Sequence, residues 1–159
     1  YLEIIAVDPQ APPPARRRWF DLDDPALRAA LAAGPRLIHW VARCDDVAGD
    51  CAALAAAGIE RGEVLAAERN TPRGLLRWRI AVRADGARLF GGSLPTLIEW
   101  GDTHPADGLA ASPLQLEELR VGALPEAVRQ RLPAAVVTGA GLAAALHPPL
   151  GLVRLEASA

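Results

Sequence analysis

Thr96-Leu97-Ile98-Glu99-Trp100 is a short apolar strand interrupted by one carboxylate, and the same pattern opens the chain in Tyr1-Leu2-Glu3-Ile4-Ile5. A third apolar run, Leu37-Ile38-His39-Trp40-Val41, carries a single imidazole. Glutamate is depleted in strands and is rarely buried without a partner. Two of them inside near-continuous hydrophobic strands call for compensation. A divalent cation shared with His39 supplies it most economically, because it offsets the desolvation of each carboxylate and the repulsion between the two.

Working outward from Glu99, residues 64–68, 75–83 and 94–100 read as three strands. They are separated by Asn70-Thr71-Pro72-Arg73-Gly74 and by Asp85-Gly86 with Gly91-Gly92, the last a hairpin or bulge signal. Before them, residues 36–43 form a strand, and Asp45 or Asp46 caps a helix with Val47, Cys51 and Leu54 on one face, closed by Gly58. An earlier helix is capped by Asp24, has Pro25 at its first position and stops at Gly34-Pro35. Residues 9–20 are too rich in proline for a helix or a central strand.

After Asp102-Thr103-His104-Pro105 the same order returns more faintly, with a strand at 114–121, a helix at 125–132 and short strands at 136–137, 142–146 and 152–155. Internal repetition of one βαβββ unit is the organising principle. The expected fold class is α+β, with repeated βαβββ units forming a curved mixed sheet around a cavity. Residues 1–8 are then the last strand of an incomplete first unit, 9–35 a Pro/Arg-rich connector and short helix, 36–101 the second unit, and 102–159 a degenerate third. The chain contains no Met and opens directly on a strand-like run, so it reads as the C-terminal part of a longer protein.

Composition narrows the function classes. The 159 residues are 51% hydrophobic and 23% charged, enough for one globular core. A formal net charge of −2 gives no electrostatic footprint for nucleic acid or an anionic membrane. All 17 basic residues are Arg and Ala is abundant, the codon bias of a GC-rich bacterial genome. Cys44 and Cys51 lie roughly 10 Å apart along a helix, beyond disulfide reach, and read as reduced thiols of a cytoplasmic protein. No phosphate loop, dinucleotide fingerprint or zinc-finger cysteine pair is present.

These segments resemble the vicinal oxygen chelate superfamily in its glyoxalase-like branch. The likeness rests on residues 1–9, the connector into Trp19-Phe20, Gly34-Pro35-Arg36-Leu37-Ile38-His39-Trp40 and Thr96-Leu97-Ile98-Glu99-Trp100-Gly101. The resemblance implies a divalent metal (Zn, Ni, Mn or Fe) held by Glu3, His39 and Glu99, with a further His supplied by a strand that this sequence lacks. It also implies a small-molecule substrate that chelates the metal through vicinal oxygens. Glu99, loosely held, would then act as the catalytic base of an isomerase, lyase or dioxygenase, since the fold alone does not select the reaction.

Simpler readings stand beside each assignment. His39 can be a core histidine bonded to a backbone carbonyl, and Glu99 can pair with Arg77 or Arg79 on the neighbouring strand. Arg69, Arg77 and Arg79 either clamp an anionic substrate or form a solvated strand face, and Trp78 and Trp100 are core or pocket wall. His104 and His147 read as turn residues. The competing function is a metal-free module that sequesters a small organic ligand while its carboxylates pair with Arg; a vestigial structural domain is a third. The unpaired edge left by the incomplete first unit invites a homodimer.

Overall fold

The computed structural model describes residues 1–132, 135–147 and 153–157. Helix α1 (Pro25–Ala32) starts where expected, because the Asp24 carboxylate accepts the Leu27 N–H at 2.7 Å and Pro25 takes the first position, where no N–H is needed. Strand β1 (Val41–Arg43) leads into α2 (Val47–Ala56), capped by Asp46, whose carboxylate accepts the Gly49 N–H at 3.0 Å. Strands β2 (Glu63–Thr71) and β3 (Gly74–Val82) form a long hairpin that turns at Gly74. After a 3₁₀ turn, Leu89–Gly92, β4 (Thr96–Trp100) returns between β1 and β3.

The first sheet therefore has the order β1-β4-β3-β2, with β1 parallel to β4 and the other pairs antiparallel. The second contains β5 (Gln115–Val121), β6 (Val136–Thr138), β7 (Ala143–His147) and β8 (Val153–Glu156), with the one-turn helix α3 (Glu126–Arg129) between β5 and β6. Both are mixed four-stranded sheets, so the class is α+β. The βαβββ order recurs along the chain, but the pairing does not. In the second sheet the order is β6-β5-β7-β8, so β5 lies parallel to β6, the next strand, and not to the last one. Residue 152, the start of the last expected strand, lies outside the described residues.

Two apolar clusters cover the two faces of the first sheet. One joins Leu54 of α2, Leu94 and half-buried Leu97 to Leu119, Val121, Val128 and Leu142 of the second half of the chain. The other gathers Ile80, Val82 and Ile98 with Trp19, Leu65, Trp78 and Trp100. This division follows the strand alternation: Thr96, Ile98 and Trp100 point to one side of β4, and Leu97 and Glu99 to the other. Among the described residues no helix is long and apolar enough to cross a membrane.

Several expected elements differ, among them the helix expected over 125–132, which is the single turn Glu126–Arg129. Residues 1–8 form no strand, and Tyr1, Leu2, Ile4 and Ile5 are exposed, Ile4 to 91%. A strand needs a ladder partner, and neither edge of the first sheet pairs with this segment. The strand expected over 36–43 begins only at Val41, because the Ile38 carbonyl is taken by Arg88 Nη1 at 2.6 Å. Gly91-Gly92 is neither hairpin nor bulge but the end of the 3₁₀ turn, where Gly92 adopts φ +89° and a Cβ would come within 2.6 Å of the Ile38 oxygen.

Gly62 carries a similar requirement at the entrance to β2: its φ is +87°, and a Cβ there would lie 2.1 Å from the Val82 oxygen. Gly62→Ala is expected to destabilise the fold by about 1–3 kcal/mol, read as a lowered midpoint in urea with an unchanged slope.

Candidate functional site

Glu99 sits in the centre of the first sheet with its carboxylate fully engaged. Its Oε2 accepts the Val47 N–H at 2.9 Å, at the first turn of α2, and both oxygens lie 3.2 Å from Arg79 Nη1 on β3. The register pairs Arg79 directly with Glu99, so the two side chains emerge on the same face. The α2 N-terminus and the guanidinium thus compensate the carboxylate from two directions. Of the two arginines expected as partners, Arg79 takes this place, while Arg77 pairs with Glu68 at 3.3 Å on an exposed edge.

His39 lies on the other side of the sheet. Its Nε2 is 2.9 Å from Thr96 Oγ1 and 3.2 Å from the Thr96 backbone N–H, and Thr96 projects to the face opposite Glu99. A ring nitrogen that accepts from a backbone N–H is unprotonated, which places the proton of the neutral ring on Nδ1. That Nδ1 is buried and has no hydrogen-bond partner. The Phe20 ring lies against the imidazole with centroids 4.8 Å apart. Burial, with the charges of Arg61 and Arg88, lowers the His39 pKa to about 3 against the opposing pull of the Gly92 backbone.

The three residues expected to share a metal are therefore not brought together. Glu3 lies in the exposed, unpaired opening segment, Glu99 is bound to Arg79 and α2, and His39 faces away from Glu99 beside two guanidinium groups. Among the described residues no cluster of three His, Cys, Asp or Glu side chains has a geometry that could hold a metal ion. A cation next to His39 would also meet the positive charge of Arg61 and Arg88. The residues present do not fit the metal that the resemblance implies.

Two concavities remain. A groove of about 470 Å³ runs over β2, β3 and the end of β4, lined by Arg77, Trp78, Arg79, Glu99 and Trp100 among others. Of the four residues expected to contact a substrate, the Arg77 and Arg79 side chains share its face with Glu99, the Trp78 ring points to the opposite face, and Arg69 is not among its lining. The Trp78 and Trp100 rings meet with centroids 5.6 Å apart, and Trp100 also meets His104 edge-on at 5.3 Å. His104 is a turn residue as expected, its Nδ1 accepting the Ala106 N–H.

The second concavity, of about 20 Å³, lies at the opposite end of the strands and is lined by residues the sequence did not mark as site residues, Trp19, Phe20, Arg61, Arg83 and Arg88, together with His39 and Thr96. Arg61 is only 5% exposed; one of its terminal nitrogens donates to the Pro95 carbonyl. Phe20 and Asp21 hold left-handed backbone conformations at this cavity, with φ of 63° and 58°. The Asp21 N–H donates to the Gly86 carbonyl and its carboxylate accepts from Arg88, which fastens the 19–21 segment over the cavity.

The two engaged groups make separable predictions. Glu99→Ala should cost about 1–3 kcal/mol of stability in chemical denaturation, and Glu99→Gln clearly less, because the amide oxygen still accepts the Val47 N–H. For His39, the folded pKa lies near 3, below the ordinary 6.5. Between those values only the unfolded chain takes up the proton, so this group's contribution is complete above pH 6.5 and is lost as the pH falls toward 3. His39 ring shifts in NMR should stay constant down to about pH 4, and His39→Gln should flatten the acid slope of stability.

No curated protein and no solved structure matches the chain. A protein-family model described as a glyoxalase-like domain does match, over residues 1–136, and with most of its length covered the chain belongs to the glyoxalase-like domain family.

Proposed function

We propose that this glyoxalase-like domain is a small-molecule binding module that works without a metal held by Glu3, His39 and Glu99. The observation that carries this reading is the state of Glu99: its carboxylate already has the Arg79 guanidinium and the Val47 N–H as partners, on the opposite side of the sheet from His39. A carboxylate so compensated has no charge left that requires a cation.

The ligand's place is the groove over β2–β4, whose size falls within the range usual for small-molecule sites. Ala66 and the aliphatic stems of the groove's arginines offer apolar surface to the body of a ligand, while the Trp78 and Trp100 rings point to the other face of the sheet with Ile80 and Ile98. Arg77 and Arg79 stand at the same groove and present guanidinium forks suited to a carboxylate or to two adjacent oxygens. Arg79 would loosen its hold on Glu99 to do so, and the Val47 N–H would keep Glu99 satisfied meanwhile. Membership of the family favours the second reading, a metal-dependent isomerase, lyase or dioxygenase acting on a vicinal-oxygen substrate.

Elemental analysis and thermal shift separate the two. The binding reading expects no stoichiometric Zn, Ni, Mn or Fe in the purified protein, a melting temperature unchanged by EDTA, and saturable binding of small organic acids in titration calorimetry that Arg77→Ala weakens. One metal per chain, whose removal lowers the melting temperature and whose retention depends on Glu99, would overturn it.

A further inference from the structure

We infer that the cavity around Arg61 and His39 is a site for a small monovalent anion, separate from the groove over β2–β4. Two donors that line it have no acceptor at good hydrogen-bond geometry: the buried Arg61 Nε–H, and the buried His39 Nδ1–H, which has only a weak contact to the Gly92 backbone. Arg61 is 95% removed from solvent by the 5% exposure of the whole residue, and among the described residues no carboxylate pairs with it. Its bonds run to the Pro95 carbonyl and, at 3.5 Å, to Thr96 Oγ1, both neutral.

The other charges at the cavity are already balanced. Arg83 is bound by Asp85 at 2.6 Å and donates to the Glu60 carbonyl, and Arg88 is bound by Asp21 at 2.9 Å and donates to the Ile38 carbonyl. Three guanidinium groups thus meet two carboxylates, which leaves one uncompensated positive charge, on Arg61. The Cys51 thiol does not supply the counter-charge, since burial raises its pKa and keeps it neutral near pH 7. Buried charges are ordinarily paired, and buried donors ordinarily have acceptors.

One anion satisfies all three demands, because it brings a negative charge and acceptor lone pairs to the same place. His39 contributes as a neutral donor, its proton fixed on Nδ1 by the Thr96 contacts to Nε2. The cavity walled by Trp19 and Phe20 is small, about 20 Å³, so it has room for one ion of the size of chloride or formate and excludes an aromatic acid. Charge-assisted bonds from a guanidinium in such surroundings are among the stronger ones in proteins.

The test is titration of the whole chain with sodium formate, nitrate, chloride and benzoate at constant ionic strength, followed by nitrogen-detected NMR of the Arg61 Nε–H and His39 Nδ1–H signals and by thermal shift. The expected result is a saturable rise in melting temperature with formate or chloride, together with shifts of both signals and none of the Trp78 or Trp100 indole signals. Formate and chloride distinguish an oxyanion site from a halide site, and benzoate is expected to have no effect. His39→Gln keeps the acceptor for Thr96 but deletes the Nδ1 donor, and should weaken binding several-fold. Arg61→Gln should weaken it by roughly tenfold or more. If Arg61→Gln does not fold, the wild-type signals still decide. A melting temperature that rises without saturation and equally for every salt, or Arg61 and His39 signals that do not move, would overturn the proposal.

Discussion

Strand β4 has a partner on each edge and an apolar cluster against each face, so every polar group it carries has to be satisfied inside the fold. Thr96 meets this constraint by giving its N–H to the Trp40 carbonyl and to His39 Nε2, while its hydroxyl lies between His39 and Arg61. Glu99 meets it on the other face through Arg79 and the first N–H of α2. The two residues tie β4 to the elements around it: Glu99 to β3 and α2, Thr96 to the segment before β1 and the one before β2. Replacing either removes a bond and also strands a buried partner, which is the costlier half of the loss.

Much of this fold can be read from the amino-acid sequence, because its signals are local. Asp24-Pro25 and Asp46 announce helix starts through side-chain bonds within three residues, and Asn70-Thr71-Pro72-Arg73-Gly74 announces a hairpin. Alternation along 96–100 correctly separates the faces of one strand. What alternation leaves open is how the faces of one strand match those of another. The parallel register Val41↔Thr96, with His39 bonded to Thr96, decides that His39 and Glu99 lie on opposite sides, and a shift of one residue would have reversed the answer. The apolar opening segment shows the same limit: a run with strand character becomes a strand only where an edge receives it.

Arg61 was illegible for a different reason. Between Glu60 and Gly62, in a turn ahead of a strand, an arginine has the pattern of a solvated loop residue. Its burial depends on the Pro95 carbonyl and the Thr96 hydroxyl, more than thirty residues away, and on the close approach of Gly62 to Val82. The glutamates drew attention because charge in an apolar run is visible in one dimension. The stronger electrostatic anomaly was a cation that only folding buries.

The two concavities occupy opposite ends of the same strands. The groove reaches Trp100 and Gly101, while the cavity reaches Thr96 and Val82. Four residues of strand separate Thr96 from Trp100, about 13 Å at the usual rise per residue. A single compact molecule therefore does not fill both places, and an anion beside Arg61 is not the polar head of a ligand held at Arg77 and Arg79. Its effect on the groove would have to travel through β4 itself, from Thr96 at one end to Trp100 at the other. Because β4 is held on both edges and both faces, such an effect would meet a strand already fixed along its length.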